Sequence, residues 1–167
     1  MQSATQSNKT PRSPVLTFAR AANPLAQTVT AGRQQVKVNS NLTGLSAHDL
    51  VAKGIGVTDA KQVMAGFTII NEKQFYSVLG ITPRTMQRRA ASATKTLDAN
   101  ASDRALRLVT VMHQATEVLG SQEAAERWLS SPAMGLDQRV PIDLLQSSEG
   151  TAMVKTLLSR MEYGVYA

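Results

Sequence analysis

The stretch "NEKQFYSVLGITPRTMQRR", residues 71–89, combines two helical segments with a tight turn between them. Asn71 can cap the first helix, and Gln74, three residues later, completes a capping box. Three apolar residues then follow at the spacing of one helical face: Phe75, Val78 and Leu79. Gly80 permits a left-handed turn, and Thr82 with Pro83 supplies the cap and first position of the second helix. The pattern predicts a helix-turn-helix.

The second helix of this stretch carries polar side chains on its outer side, whereas Met86 is expected to face the core. Arg84, Gln87 and Arg88 are three and four residues apart and therefore share a face. Arginine and glutamine can make bidentate contacts with base edges in the major groove. Thr85 and Arg89 suit phosphate contacts. We therefore predict DNA contacts at Arg84, Thr85, Gln87, Arg88 and Arg89; the alternative is an ordinary solvated helix.

Helical patterns continue on both sides of this stretch, from residue 46 to the C-terminal region. The remaining helices have predicted end signals at Ser46, Thr58, Ser102, Gly120, Ser121 and Pro141. A final helix is expected from about Gly150, with an apolar face formed by Met153, Val154, Leu157, Leu158 and Met161. The predicted fold class is all-α.

Charge is distributed unevenly along the chain, whose formal net charge is +6. Residues 1–48 contain five basic residues and no acid, and residues 49–96 contain seven basic against three acidic residues. Residues 97–167 contain six basic against nine acidic residues. The asymmetry favours nucleic-acid contact by the first part and a different task for the second; ordinary solubility charge is the alternative.

Composition shifts suggest three regions. Residues 1–45 are predicted to form a flexible basic arm, with a short extended segment possible at residues 34–39. Residues 46–96 would be the helix-turn-helix domain, and the looser stretch 94–102 marks the start of a second helical domain, residues 97–167.

Several kinds of chemistry find no support in the sequence. Without cysteine there is no disulfide or thiolate metal site, and no apolar run approaches the roughly 20 residues of a membrane span. His113 with Glu117 one turn later could imitate an acid–base pair, but no nucleophile or ligand cluster accompanies it. We expect no enzyme activity, no cofactor, no metal and no small-molecule substrate.

The second helical region resembles a known family. It contains an Asp-Arg pair at Asp103-Arg104, an Ala-x-x-Trp-Leu segment ending at Leu129, a Pro-x-Asp-Leu-Leu box starting at Pro141, then Gly150 and a terminal Tyr-Gly-Val at residues 163–165. This order is similar to the C-terminal toxin-binding domain of the Xre/MbcA/ParS antitoxins. The chain departs from the family pattern at residues 135–138, where Gly-Leu-Asp-Gln replaces a Gly-Gly turn.

The resemblance implies the antitoxin of a type II toxin–antitoxin pair in the bacterial cytoplasm. Its partner would be a RES-domain toxin, an NAD-consuming enzyme whose active-site mouth the antitoxin occludes. The helix-turn-helix would bind operator DNA and repress the operon, with a homodimer matching a two-fold operator.

The chain stops on "EYGVYA", an apolar and aromatic tail that needs an explanation. As implied by the family, its candidate toxin-binding residues are Arg160, Tyr163, Gly164, Val165, Tyr166 and Ala167. The alternative is that the rings cover the protein's own core or a dimer seam. Trp128 and the Pro141 box are interpreted as core.

Two other functional interpretations of the whole chain remain. It could be a plain helix-turn-helix regulator whose C-terminal half only dimerises. A polar-targeting or scaffolding role is a third possibility, against which the helix-turn-helix argues.

Overall fold

The computed structural model describes residues 44–164 and the backbone of two short strands, β1 (Val15–Leu16) and β2 (Gln35–Val36). The strands pair in parallel, with Val15 opposite Gln35 and Leu16 opposite Val36. β2 lies in the segment predicted to be extended. The rest of the predicted flexible arm lies outside the described residues, apart from its last two positions.

The described part of the chain is otherwise helical, as predicted. Its helices are α1 (Leu45–Lys53), α2 (Val57–Gly66), α3 (Glu72–Leu79), α4 (Pro83–Ala91), α5 (Ala99–Leu119), α6 (Gln122–Leu129), α7 (Pro141–Leu144) and α8 (Ser148–Glu162), with a 3-10 turn at Met134–Leu136. None of the helices in this part combines the length and apolar content needed to cross a bilayer.

Helix ends agree with the sequence around the central stretch. Asn71, Thr82 and Ser121 each accept a hydrogen bond from a backbone N–H in the first turn of α3, α4 and α6. Gly80 and Gly120 end α3 and α5 in the left-handed conformation, at φ +67° and +83°. These predictions are confirmed.

Three predicted caps were wrong. Ser46, Thr58 and Ser102 lie inside helices, because α1 and α2 begin after Gly44 and Gly56 and α5 begins after Asp98. Asp98 Oδ1 accepts a hydrogen bond from Ala101 N at 2.9 Å. A carboxylate can cap as well as a hydroxyl.

The last helix also begins earlier than expected. Ser147 caps α8, with Gly150 N donating to its hydroxyl at 3.0 Å. Gly150 instead permits close packing, since a Cβ there would overlap the carbonyl oxygen of Leu144. In the 3-10 turn region, Asp137 and Gln138 take the positive φ angles, +53° and +60°, that glycine would favour.

α5 is the central helix of the fold. It packs against α1 and α3 on the helix-turn-helix side and against α6 and α8 on the other. One cluster of buried apolar side chains runs from Ile55 through Phe75 and Met112 to Leu158. Residues on both sides of the predicted domain boundary at residue 97 therefore contribute to one core.

Polar contacts from α5 hold the helix-turn-helix in place. Ser102, fully buried, accepts a hydrogen bond from Ile55 N at 2.9 Å. Arg104 Nη1 donates to the carbonyl of Leu79 at 3.4 Å, at the end of α3. A Cβ at Gly80 would overlap that guanidinium. Glycine at position 80 is favoured by its positive φ, and any larger residue would also displace the Arg104 guanidinium.

A buried carboxylate on α6 makes a second connection. Glu126 is fully buried, and its Oε2 accepts backbone N–H groups of Thr68, Ile69 and Ile70 at 2.9, 2.6 and 3.1 Å. Gln122 Nε2 donates to its Oε1 at 2.8 Å and to the carbonyl of Gly66 at 2.7 Å. Glu126 therefore fixes the segment between α2 and α3.

Candidate functional site

The turn between α3 and α4 has the geometry of a helix-turn-helix. Gln74 N donates to Asn71 Oδ1 at 2.9 Å, and Asn71 N donates to Gln74 Oε1 at 3.1 Å, so both halves of the capping box are present. Ile81 N donates to Tyr76 O at 3.2 Å across the Gly80 turn. Ile81 packs partly buried against the core. These contacts fix the direction in which α4 leaves the turn.

α4 is amphipathic and presents arginine to the surface. Met86 is fully buried and anchors the helix. Arg84, Gln87 and Arg88 are exposed and, with Thr85, line a surface depression of about 420 Å³. α4 contains no acidic residue. The structure therefore brings together four of the five residues predicted to contact DNA.

Two of the predicted DNA-contacting residues also have partners within the chain. Arg89 Nη2 lies 3.2 Å from Asp98 Oδ2, with side-chain exposures of 33% and 50%. Such a half-exposed pair contributes little to stability and can be exchanged for another anion. The hydroxyls of Thr82 and Thr85 lie 3.0 Å apart. Thr85 is half-buried, which places it at the edge of the exposed face.

The C-terminal end of α8 carries the described part of the second candidate site. Arg160 is exposed in the last turn, and Tyr163 is 77% exposed. Gly164 has a φ of +66° and turns the chain out of the helix. The Tyr163 ring does not cover the core of its own chain. Val165, Tyr166 and Ala167 lie outside the described residues.

Residues predicted as core behave accordingly. Ile142 and Leu145 of the Pro141 box are fully buried, and Pro141 is buried. Trp128 packs half-buried against the main cluster. His113 Nδ1 and Glu117 Oε2 lie 3.4 Å apart as a partly exposed helical pair. In the stretch 44–164, no group of three or more acidic or histidine side chains is arranged to hold a metal ion.

Sequence reasoning missed the role of Glu126, which was counted only as a charge. A usable signal exists, because Gln122, Glu126 and Leu129 are spaced four and three apart on one helical face. Leu129 is fully buried, so the same face carries the carboxylate inward. Met134, 85% exposed in the 3-10 turn, was also missed; nothing in its local sequence indicates exposure.

Comparison with known proteins agrees with this arrangement. Residues 46–109 match the antitoxin Xre-like helix-turn-helix domain, and residues 114–164 match the antitoxin Xre/MbcA/ParS C-terminal toxin-binding domain. An antitoxin Xre of Yersinia enterocolitica is 30% identical over 138 residues, covering 82% of this chain and 85% of the relative. A Prs ADP-ribosylating antitoxin of a Sphingobium species is 27% identical over 127 residues, covering 71% of this chain and 79% of the relative. The chain belongs to the Xre/MbcA/ParS family of antitoxins.

Proposed function

We propose that this antitoxin neutralises a RES-domain, NAD-consuming toxin through its C-terminal end and represses its own operon through α4. The observation that carries the proposal is that α4 presents an acid-free arginine face while α8 ends in an exposed tyrosine and arginine. Both elements belong to one core.

The DNA-binding part of the proposal rests on α4. Arg84, Gln87 and Arg88 are exposed on one face of a helix whose direction is fixed by Met86 and Gly80. A homodimer would place two such helices one turn of DNA apart on a two-fold operator. Phosphate contacts by Arg89 would require it to leave Asp98 or to share its guanidinium between the two anions.

The toxin-binding part rests on Tyr163 and the residues that follow it. A ring that is 77% exposed is available to fill a pocket in a partner, and tyrosine loses few rotamers on binding. The Sphingobium relative is named for ADP-ribosylation, a reaction that transfers ADP-ribose from NAD. A toxin that consumes NAD, by hydrolysis or by transfer, fits that name and the proposed RES partner.

The proposal assigns the chain a binding role with no catalytic step, no cofactor and no small-molecule substrate. It places the protein in the bacterial cytoplasm, where operator and toxin would both be present, and gives it no membrane contact.

Deleting residues 163–167 tests the toxin-binding part. The truncated protein is expected to leave growth arrest by the neighbouring reading frame's product unrelieved, because the anchoring rings are gone, while a gel shift with the operon's promoter DNA is retained. Single Tyr163→Ala should reproduce part of the loss, and Glu162→Ala serves as the exposed control. Full neutralisation by the truncated protein would refute occlusion by the tail.

Arg88→Ala tests the DNA-binding part. Losing one bidentate base contact should weaken promoter binding about 5- to 150-fold. Arg139→Ala, an exposed arginine after the 3-10 turn, is the matched control and should bind normally. Toxin neutralisation should be unchanged in both variants. Equal promoter affinity of the two variants would show that α4 is not the reading helix.

A plain regulator whose C-terminal half only dimerises is the second candidate, and an exposed Tyr163 would also suit a dimer seam. The two functions differ in the truncation experiment. If the tail forms the dimer seam, removing it converts the dimer to a monomer and weakens DNA binding together with any neutralisation.

A further inference from the structure

An exposed apolar surface lies beside the C-terminal helix. The sequence predicted that Met153 faces the core, but it is 48% exposed, whereas Val154 and Leu158 are fully buried. Leu157 is half-buried. Core contact is thus confined to one part of the predicted apolar face, and the prediction for Met153 was wrong.

The 3-10 turn completes this surface. A Cβ on Gly135 would lie 2.7 Å from Leu157 Cδ1, so the leucine side chain rests directly on the glycine. Met134 precedes Gly135 in the turn that packs against α8, so it lies near Leu157, and it is 85% exposed. We call Met134, Met153 and Leu157 the apolar shoulder.

The apolar shoulder is continuous with the candidate toxin-binding residues. Met153, Leu157 and Arg160 are spaced four and three residues apart, which places them along one face of α8. One turn further, that face reaches Tyr163 and Gly164 at the helix end. The apolar shoulder and Tyr163 therefore form one continuous surface that a single partner can cover.

The size of this surface matches part of a protein–protein interface. At roughly 200 Å² per large side chain, the exposed fractions of Met134 and Met153 (85% and 48%) amount to about 270 Å², and Tyr163 (77%), the first residue of the tail, brings the continuous surface to about 400 Å². A stable complex buries about 800 Å² on each partner. Methionine, tyrosine and arginine are also the residue types enriched at interfaces. The rest of the required area would come from polar residues at the rim and from the partner's contacts beyond Tyr163.

We propose that the apolar shoulder is the surface against which the toxin binds. The proposal rests on the toxin-binding function proposed above and adds a separate contribution to affinity. The toxin surface should be apolar where it meets Met134 and Met153, with an acidic group opposite Arg160. The apolar shoulder would supply binding affinity, and residues 163–167 would supply inhibition.

The test is the double variant Met134→Lys with Met153→Lys, measured against the protein encoded by the neighbouring reading frame. Two ammonium groups buried against an apolar surface should weaken the complex about 30-fold or more in a titration with purified toxin. Ala152→Lys, exposed on the same helix about a quarter turn away, is the control and should bind as the wild type does.

Truncation of residues 163–167 separates this proposal from tail occlusion. If the shoulder seats the toxin, the truncated antitoxin still copurifies with it while leaving it active. If the truncated protein loses all binding and the double lysine variant binds normally, the shoulder proposal is refuted and the tail proposal stands.

Two further outcomes are decisive. If the double variant converts a dimer of the free antitoxin into a monomer in light scattering and its affinity per protomer is unchanged, the shoulder is a dimer seam and the proposal fails. If the double variant melts several degrees below wild type, Met134→Ser takes its place, since that side chain is nearly free of the fold. About tenfold weaker binding is then expected, and wild-type binding refutes the proposal.

Discussion

Replacing Glu126 should destabilise the fold more than its charged, helical sequence context suggests. Its Oε2 accepts three backbone N–H groups of residues 68–70 and its Oε1 accepts the Gln122 amide. Hydrogen bonds to a charged acceptor contribute about 1.5–3 kcal/mol each, against about 0.5–1.5 kcal/mol for neutral ones. Burying the carboxylate costs part of that gain.

The expected magnitude follows from this balance. Glu126→Gln keeps one acceptor of similar shape, so the three N–H groups retain weaker bonds. Its amide NH2 cannot accept from Gln122 Nε2, so that bond is lost, and the free energy of unfolding should fall by about 2 kcal/mol. Glu126→Ala leaves the N–H groups without a side-chain acceptor. Thr68 and Ile69 are exposed, so water can replace part of the loss, and about 4 kcal/mol is expected.

Urea denaturation followed by circular dichroism measures both variants. In a separate thermal scan, the melting temperature of the glutamine variant should fall by about 8 °C, at roughly 4 °C per kcal/mol for a chain of this size. Glu123→Gln, exposed in the first turn of the same helix, is the control and should cost less than about 1 kcal/mol. Equal stability of the Glu126→Gln and Glu123→Gln variants would refute the reasoning.

Two further predictions concern stability. A Gly→Ala change is normally favourable in a helix, but Gly150→Ala should lower the free energy of unfolding by about 1–3 kcal/mol, because the added Cβ overlaps the backbone oxygen of Leu144. Urea denaturation measures this change, and a stabilised variant would show that α7 can move aside. Burial, followed by the hydrogen bond and charge of Glu72, raises the pKa of Tyr76 above its ordinary value of 10.0. The fold therefore holds the phenolic proton more tightly than the unfolded chain does, so stability should decline as pH rises past about 10. Tyr76→Phe should lose less stability over that range; identical declines in melting temperature would contradict the assignment.

The sequence predicted the helix-turn-helix well because its signals are local. The capping box of Asn71 and Gln74, the left-handed Gly80 and the Thr82–Pro83 start all act within four residues, and each is present. The matching apolar positions Phe75 and Val78 are buried at 1% exposure. Local propensity and tertiary packing favour the same structure here.

Local sequence patterns gave wrong or incomplete predictions where a polar side chain hydrogen-bonds to a residue far away in the sequence. Ser102 was predicted as a cap because a serine preceding an apolar run usually is one. In the structure its hydroxyl accepts from Ile55 N, a residue 47 positions away, and Asp98 caps the helix instead. A contact of that sequence separation leaves no mark in the residues nearby. Glu126 was missed for the same reason, although its helical spacing was available.

The number of apolar residues on one helical face also exceeds the number that the core buries. α8 carries five apolar residues from Met153 to Met161, but its main contacts are α5, α7 and the 3-10 turn, which bury fully only Val154 and Leu158. Periodicity reports which side chains share a face and not how many neighbours exist to cover it. Met153 was therefore assigned inward when nothing in the described structure covers about half of its surface.

The buried polar contacts of Arg104 and Glu126 bear on how the two proposed surfaces affect each other. Arg104 holds the end of α3, and Glu126 holds the segment before α3. Arg104 lies on α5, which packs against α8, and Glu126 lies on α6, within the part of the chain that matches the toxin-binding domain. If a flexible linker joined the two regions, toxin binding would not affect DNA binding. With these contacts in place, α3 keeps a fixed orientation relative to α5 and α6, and the buried Met86 and the Gly80 turn hold α4 against α3. A toxin seated on the C-terminal end would then affect operator binding through its bulk and the number of antitoxins it joins, rather than through a change in the fold of α4.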